Sequence, residues 1–339
     1  MGKFNNAAVG NIELERALDD LNGKANGIPL TTGNVYYVIP TADSNYIEFF
    51  ARYQKTYLDG TLAVHSTIAS AYSAVTSNRH DIIVLSANAA HVQTSMLSIA
   101  KNRVHFVGLN MRAGGYGLGA RTRITIGVTT AVTDLGVLQN TGVGNTFRNI
   151  KTDSSNTLTQ GLYSIVEAGE YAMYENCEFY LSSQLSATGG AEVANNGDSA
   201  QWIKCTFGSS ANETVGSIIR PCMTVSGGIV SGKKLRDNII DDCLFLTKSA
   251  ATNRVDIYGA NATDVERMLL VKNSVFLSNI LGSATPAHAV GFGAAQTQGT
   301  VLLKNCTSVD HTVMAQASVG IYVDGAVPTF ATTGVAKSA

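Results

Sequence analysis

The sequence contains little charge. Only 14% of its 339 residues are Asp, Glu, Lys or Arg, and the net charge is −1, whereas about 25% of residues are charged in a typical soluble domain. This balance creates no basic field that would attract nucleic acid or an acidic membrane surface. Because 45% of the residues are apolar, we expect a sizeable core beneath a neutral, polar surface.

Paired cysteines, a signal sequence and long apolar runs are also lacking. The five cysteines are widely separated and odd in number, which argues against a disulfide framework or a zinc site and is typical of a reducing compartment. No basic segment followed by an apolar segment opens the chain, and no apolar run approaches the ~20 residues of a membrane span. We therefore expect a soluble protein made in a cytoplasm, without a metal or other cofactor and without membrane contact.

The first 80 residues show helical residue patterns that the rest of the chain lacks. "NIELERALDDLNG" (residues 11–23) predicts a short helix within an N-terminal arm of residues 1–35. Residues 36–80 predict a helical cap, with helices in "DSNYIEFFARYQKTYLDG" and "STIASAYSAV". The first of these two helices carries an aromatic stripe, which we interpret as a packing face in preference to a platform for sugars. The stripe consists of Tyr46, Phe49, Phe50, Tyr53 and Tyr57.

Beyond residue 80, a repeat of about 30 residues replaces the helical pattern. Six segments align, from "TFRNIKT" (146–152) through "IIDDCLF" (239–245) to "LLKNCTS" (302–308). The aligned positions hold Ile150, Cys177, Cys205, Cys243, Ser274 and Cys306. In four of the segments, a phenylalanine follows two residues later: Phe179, Phe207, Phe245 and Phe276. A fixed period of this length is the signature of a solenoid.

The repeat predicts how each coil is built. Residues two apart on a strand point to the same face, so each cysteine and the phenylalanine after it belong to interior rows. The residue before the aligned position is Asn, Asp or Lys in every segment, and Asn and Asp tolerate the left-handed backbone conformation better than other non-glycine residues. We therefore predict a sharp bend at this residue between two short strands, with successive coils paired in parallel.

The aligned segments are called rungs here. In these rungs, and in "DIIVL" and "VHFVGLN" before them, the chain resembles the right-handed parallel β-helix superfamily, also called pectate-lyase-like. The resemblance implies an all-β solenoid over residues 81–325, closed by a short α-helical N-terminal cap and followed by a C-terminal tail, residues 326–339. It does not imply one activity, because this fold carries lyases, hydrolases, adhesins and virus proteins.

The chemistry-bearing motifs favour structural roles. In "IIDDCLFL", Asp241 and Asp242 are adjacent on a strand and so point to opposite faces. Asp242 is also the bend residue of its rung, which leaves only Asp241 open to a functional interpretation. The cysteines form a row that alternates with Ile150 and Ser274, as small core residues do. Of the elements typical of polygalacturonases only the Asp-Asp pair occurs, and the acidic cluster that holds calcium in pectate lyases has no counterpart. We therefore predict no catalytic, cofactor-binding or metal-binding residue.

The functional expectation follows from resemblance. The segment "VYYVIPTADSNYIEFFARYQKTYLDGTLAVHSTIASAY" resembles the start of β-helix proteins in the structural modules of marine phages. It implies a non-catalytic virion protein of a tailed bacteriophage, a capsid decoration protein, head fibre or spike. Such a protein would be trimeric, anchored to other virion proteins through its N-terminal region, and made in the host cytoplasm.

Two alternatives remain open. One is a tailspike-type polysaccharide depolymerase, either a glycoside hydrolase or a lyase, with two carboxylates in an exposed groove. Its candidate carboxylates are Glu167, Glu170, Asp198, Asp241 and Asp256. The other is an adhesin that binds a host surface glycan without cleaving it.

Overall fold

The computed structural model describes residues 33–109, 122–126, 136–154, 163–181, 190–208, 221–225, 235–247, 255–278, 287–294, 296–317 and 320–324. The helix predicted at 11–23 and the tail predicted at 326–339 lie outside these residues. Within them, no helix is long and apolar enough to cross a membrane.

Three sheets form the body of the protein, with strands labelled in chain order. In the part of the chain that the structure describes, sheet 1 has eleven strands: β2 (Val64–His65), β1 (Val35–Val38), β3 (Ile82–Leu85), β6 (His105–Gly108), β9 (Thr146–Arg148), β12 (Met173–Glu175), β15 (Gln201–Ile203), β18 (Asn238–Asp241), β21 (Met268–Lys272), β24 (Thr300–Lys304) and β27 (Ile321–Val323).

Sheets 2 and 3 have eight strands each within the described residues. Sheet 2 consists of β4 (His91–Gln93), β7 (Thr122–Ile126), β10 (Ile150–Ser154), β13 (Glu178–Leu181), β16 (Thr206–Gly208), β19 (Leu244–Thr247), β22 (Val275–Ser278) and β25 (Thr307–Val309). Sheet 3 consists of β5 (Leu97–Ile99), β8 (Gly136–Asn140), β11 (Tyr163–Glu167), β14 (Ala191–Asn195), β17 (Met223–Val225), β20 (Ile257–Gly259), β23 (His288–Phe292) and β26 (Val313–Ala315).

From residue 136 onward, the chain visits the sheets in the fixed order 3, 1, 2, and each strand pairs in parallel with its counterparts on the neighbouring coils. The predicted right-handed parallel β-helix is confirmed. Strands β1 and β2, from the region predicted as a helical cap, add to the N-terminal end of sheet 1.

Ladders of aromatic rings fill the interior, as the repeat predicts. Under sheet 2, the centroids of successive rings are 5.5, 4.7 and 4.6 Å apart, in the order Phe179, Phe207, Phe245 and Phe276. Under sheet 1, the spacings are 5.2, 4.8 and 4.1 Å, in the order Phe106, Phe147, Tyr174 and Trp202. All five cysteines are free thiols, and the rung cysteines 177, 205 and 243 are fully buried. The prediction that these cysteines pack in the core is confirmed.

The bends between sheets 1 and 2 are in the left-handed conformation. The φ angles lie between 50° and 56° at all six predicted residues: Asn149, Asn176, Lys204, Asp242, Asn273 and Asn305. Their side chains also form ladders, since Asn176 Nδ2 donates to Asn149 Oδ1 at 2.7 Å and Asn305 Nδ2 donates to Asn273 Oδ1 at 2.9 Å. Asp242 is therefore a bend residue, as predicted.

Two short helices lie at the N-terminal end, one over the interior and the other on the outer face of sheet 1. Helix α2 (Ile68–Ala74) begins after Thr67, whose side chain accepts a hydrogen bond from Ser70 N, and it buries Ile68 and Ala71 in the main core. Helix α1 (Tyr46–Tyr53) packs part of its aromatic stripe on Tyr37, with the ring of Tyr53 centred 4.6 Å away. Phe50 of the same stripe is 38% exposed, so only part of the stripe is a packing face.

Candidate functional site at the corner between sheets 3 and 1

Two of the five candidate carboxylates lie inside the β-helix. Glu167 is fully buried. Its Oε1 accepts a hydrogen bond from Gly169 N at 2.6 Å, and its Oε2 accepts from Asn140 Nδ2 at 2.8 Å and from the hydroxyl of Tyr174. Burial, and secondarily the negative charge of Glu167, raises the pKa of Tyr174 well above its usual value. This network stabilises the corner that follows β11 from within and offers no access to a polymer.

Asp256 is likewise enclosed. It lies 3.0 Å from His311 Nε2, with neither side chain exposed, and it accepts a hydrogen bond from Thr247 Oγ1. Cys222 Sγ lies 3.4 Å from the same hydroxyl. An acid, an imidazole, a hydroxyl and a thiol thus converge, but all four residues are buried. We interpret the cluster as an internal polar core between sheets 2 and 3.

Asp241 lies on the outer face of sheet 1, in an ion pair. Its Oδ2 lies 3.0 Å from Lys272 Nζ on the next strand, and its Oδ1 accepts a hydrogen bond from Asn273 Nδ2 at 2.9 Å. The same face carries an ion pair between Arg148 and Glu175, separated by 2.8 Å. Asp241 therefore joins neighbouring coils and does not pair with a second carboxylate.

The remaining two candidates are brought together. Each coil turns from sheet 3 into sheet 1 at a short corner, and parallel bridges join Val143, Glu170, Asp198 and Arg236 across four successive coils. Glu170 and Asp198 are therefore direct neighbours, at the spacing of about 4.8 Å between adjacent strands. Both are partly accessible to solvent. These residues, together with Glu266 on the next coil, are called here the acidic corner: Glu170, Asp198, Arg236 and Glu266.

Arg236 supplies the positive charge of the acidic corner. Its Nε and Nη2 donate to the two carboxylate oxygens of Glu266 at 2.8 and 2.9 Å, and its Nη1 lies 4.0 Å from Asp198 Oδ2. The hydrogen bonds and charge of Glu266, with a smaller effect of Asp198, raise the pKa of Arg236. A permanent cation thus stands beside Asp198, one coil further from Glu170.

An exposed ring stands next to the carboxylates. Tyr171, which follows Glu170, is 64% exposed, and its backbone adopts the left-handed conformation with φ at 54°. Its amide donates to the carbonyl of Asp198 at 2.8 Å, which fixes it to the neighbouring coil. The corner is too tight for a side chain just before Glu170, because a Cβ on Gly169 would lie 2.2 Å from the carbonyl oxygen of Gly142.

The repeat contains a signal for the acidic corner. Seven residues before the aligned positions Ile150, Cys177, Cys205 and Cys243 stand Val143, Glu170, Asp198 and Arg236. A glycine precedes the first three of these residues, as in "AGEYA" and "NGDSA". Extending the alignment backwards along each rung would have predicted that Glu170 and Asp198 are neighbours. The sequence prediction did not include Tyr171 and Arg236, and the same backward extension of the alignment would have placed both beside Glu170 and Asp198.

In the described part of the chain, no three His, Cys, Asp or Glu side chains are placed to hold a metal ion. The acidic corner offers carboxylates and one guanidinium for chemistry, and the adjacent Tyr171 adds a phenol ring.

Comparison with known proteins identifies the fold. No protein-family model and no curated protein sequence matches the chain. Among solved structures, the pectin methylesterase from Aspergillus niger matches with a TM-score of 0.50 at 11% identity, covering 91% of this chain and 93% of that one. The pectin methylesterases from Erwinia chrysanthemi and from carrot give TM-scores of 0.47 and 0.40 at 12% and 10% identity, covering 87% and 88% of this chain and 81% and 90% of theirs. At these identities, the likeness shows the fold.

The comparison corrects the functional expectation. The matching structure with a TM-score of 0.50 is a pectin methylesterase, which contradicts both the expectation of a virion structural protein and the expectation that the chain is not an enzyme. No finding supports a phage link.

Proposed function

We propose that this protein is a hydrolase that acts on a polysaccharide at the acidic corner. One observation carries the proposal: Glu170 and Asp198 occupy the same position on successive coils, beside the exposed ring of Tyr171. This function corresponds to the depolymerase alternative considered from the sequence and replaces the virion protein.

The arrangement supports acid/base chemistry by the two carboxyl groups. Hydrolases that retain configuration at a sugar carbon hold their two carboxyl groups ~5–5.5 Å apart. Glu170 and Asp198 extend from bridged backbone positions about 4.8 Å apart, which allows their carboxyl groups to approach each other. Arg236 places positive charge 4.0 Å from Asp198, so Asp198 is assigned as the nucleophile or base. Glu170, on the side away from Arg236, is assigned as the proton donor.

The surroundings suit an extended polymer. A phenol ring presents a flat apolar face with a polar edge, and such rings contact the C–H faces of sugars while their hydroxyl groups stay in water. The corner runs along the β-helix, so a chain laid along it contacts one coil after another. The matching structure with a TM-score of 0.50 is a pectin methylesterase, which supports a polysaccharide as the substrate class and an ester as one bond to be tested.

The test is an activity screen with matched variants. The purified protein is incubated with a panel of neutral and acidic polysaccharides, native and esterified, and both new reducing ends and released methanol or acetate are measured. We expect one of the two products to appear, and Glu170→Gln and Asp198→Asn to reduce its rate at least 100-fold. Loss of a positioned acid/base group typically costs ~10²–10⁴ in rate.

Two variants of the same types serve as controls. Glu175→Gln and Asp241→Asn remove carboxylates that form ion pairs on sheet 1, so both should retain full rate. If the protein releases neither product from any substrate, or if the controls lose as much rate as the corner variants, the proposal is wrong.

A further inference from the structure

A cleft opens between helix α2 and the first coil. It has a volume of about 430 Å³, within the ~300–1,000 Å³ that small-molecule sites occupy. The helix contributes Ala69, Tyr72 and Ser73, and the strands and turn opposite contribute residues 93–98 and Lys101. Neither the fold nor the proposed chemistry requires this cleft.

The lining of the cleft is mainly apolar, and its polar groups offer no free charge. Lys101 is the one charged side chain among the described residues that line it, and its ammonium group is already occupied. Its Nζ donates to the carbonyl oxygens of Tyr72, Ser73 and Val75 at 2.8, 3.1 and 2.6 Å. Burial lowers the pKa of Lys101. A charged ligand would therefore find no free partner of opposite charge there.

The groups left to contact a ligand are hydroxyls and small apolar surfaces. Ser95 and Ser98 are exposed at the cleft, and a serine hydroxyl both donates and accepts hydrogen bonds. The exposed Ser73 can only accept, because its Oγ already donates to the carbonyl oxygen of Ser70 at 2.7 Å. The hydroxyl of Tyr72 is engaged, because it accepts from the amides of Ala100 and Lys101 at 2.8 and 2.7 Å. Neutral hydroxyl groups on the protein match neutral hydroxyl groups on a sugar.

One end of the cleft, at Lys101, lies at the corner that carries Glu170 and Asp198. Asn102, next to Lys101, accepts a hydrogen bond from Val143 N at 2.9 Å, and Val143 is bridged to Glu170 on the following coil. Lys101 therefore lies at the same corner of the β-helix, two coils before Glu170. At ~4.8 Å per coil, the separation along the axis is about 10 Å.

We propose that this cleft binds the neutral end of a polysaccharide whose body lies along the corner toward Glu170 and Asp198. The ligand class rests on the proposed function, whereas the binding itself does not require catalysis. The cleft would thus determine which end of the polysaccharide is bound and how far the reacting bond lies from that end.

Binding is tested on the full chain by a glycan array containing neutral and acidic oligosaccharides, followed by calorimetric titration with the strongest neutral binder. We expect neutral glycans to bind, and Ser98→Trp to weaken binding at least tenfold because its indole fills the cleft. Ala69→Trp fills the cleft from the helix side and should have the same effect. The control is Ser66→Trp, which adds an indole at an exposed position outside the cleft and should bind as the wild type does.

The two proposals fail in different ways. Neutral glycans that bind in a Ser98→Trp-sensitive manner, without any product in the activity screen, support the cleft and count against the hydrolase. Hydrolysis with an unchanged KM in Ser98→Trp supports the hydrolase and overturns the cleft. Binding of acidic glycans alone, or of no glycan on the array, also overturns the cleft. Circular dichroism of each tryptophan variant ensures that a loss of binding is not a loss of folding.

Discussion

Arg236 and Glu266 form a two-point ion pair across neighbouring coils, with both guanidinium–carboxylate hydrogen bonds shorter than 3 Å. The two side chains are 47% and 32% exposed, and exposed ion pairs contribute only ~0–1 kcal/mol to stability. We therefore expect Arg236→Gln to leave the free energy of unfolding nearly unchanged. It should lower the hydrolytic rate about tenfold, because it removes the cation beside Asp198.

The pH profile separates this role from a structural one. Without the neighbouring positive charge, protonation of Asp198 becomes easier, so the acid limb of the rate profile should move to higher pH. Arg267→Gln is the control, since Arg267 pairs with Asp237 at 2.9 Å just after the acidic corner. Equal rates and equal pH profiles in the wild type and Arg236→Gln would show that Arg236 has no part in the reaction.

The bend at Lys204 predicts a stabilising substitution. Lys204 has φ at 53°, a conformation that costs a residue with a Cβ about 1–2 kcal/mol and that Asn adopts more readily. Asn at this position would also stand between Asn176 and Asp242 in the ladder of bend residues. We expect Lys204→Asn to increase the free energy of unfolding by about 0.5–1 kcal/mol, measured by chemical denaturation. The same change at Lys304, an exposed strand residue, should give no gain.

The fold was predictable because only a few residue types suit the bend between sheets 1 and 2 and the interior row that follows it. A left-handed bend favours Asn or Asp, and a closed interior row favours a small residue followed by a ring. The bend recurs on six successive coils and the ring on four of them, so Asn176, Cys177 and Phe179 belong to a unit that alignment detects. Lys204 shows that the demand can be violated at one coil without loss of the pattern on the others.

The site was less predictable, because the direction of a side chain depends on the corner. Glu167 and Glu170 are three residues apart and chemically alike, yet one is fully buried and the other is accessible to solvent. The turn between them is permitted by the close approach of Gly169 to the preceding coil. Spacing along the chain therefore named Glu170 and Asp198 as candidates but could not separate them from Glu167, Asp241 and Asp256.

His80 and His105 predict a dependence of stability on pH. Nδ1 of His80 lies 3.0 Å from Nε2 of His105. Burial, followed by the charges of His80 and Arg148 and opposed by Asp81, lowers the pKa of His105 to about 4. In the unfolded chain, its pKa is near 6.5. Between these values, the unfolded state binds a proton that the folded state excludes, so stability is full above about pH 6.5 and falls as the pH drops toward 4.

The variant His105→Gln isolates this contribution. Chemical denaturation from pH 7.5 to 4 should show a smaller loss of unfolding free energy in the variant, by on the order of 1–3 kcal/mol at the acidic end. His65, His91 and His288 also have pKa values lowered by burial, so both proteins lose stability in acid, and only the difference between them reports on His105. Parallel curves would contradict the prediction.

Glu167 and Glu170 should respond oppositely to the same substitution. In Glu167→Gln, an amide replaces a carboxylate that accepts hydrogen bonds from Gly169, Asn140 and Tyr174. The amide NH2 group would then point at one or more of these hydrogen-bond donors inside the core. Leaving buried groups unsatisfied in this way costs about 2–4 kcal/mol. Chemical denaturation should detect that loss, while the hydrolytic rate at low temperature, where the variant is still folded, should stay within a few-fold of the wild type. Glu170→Gln should keep its stability and lose its rate, and a reversal of these two outcomes would place the reaction inside the β-helix instead of at the acidic corner.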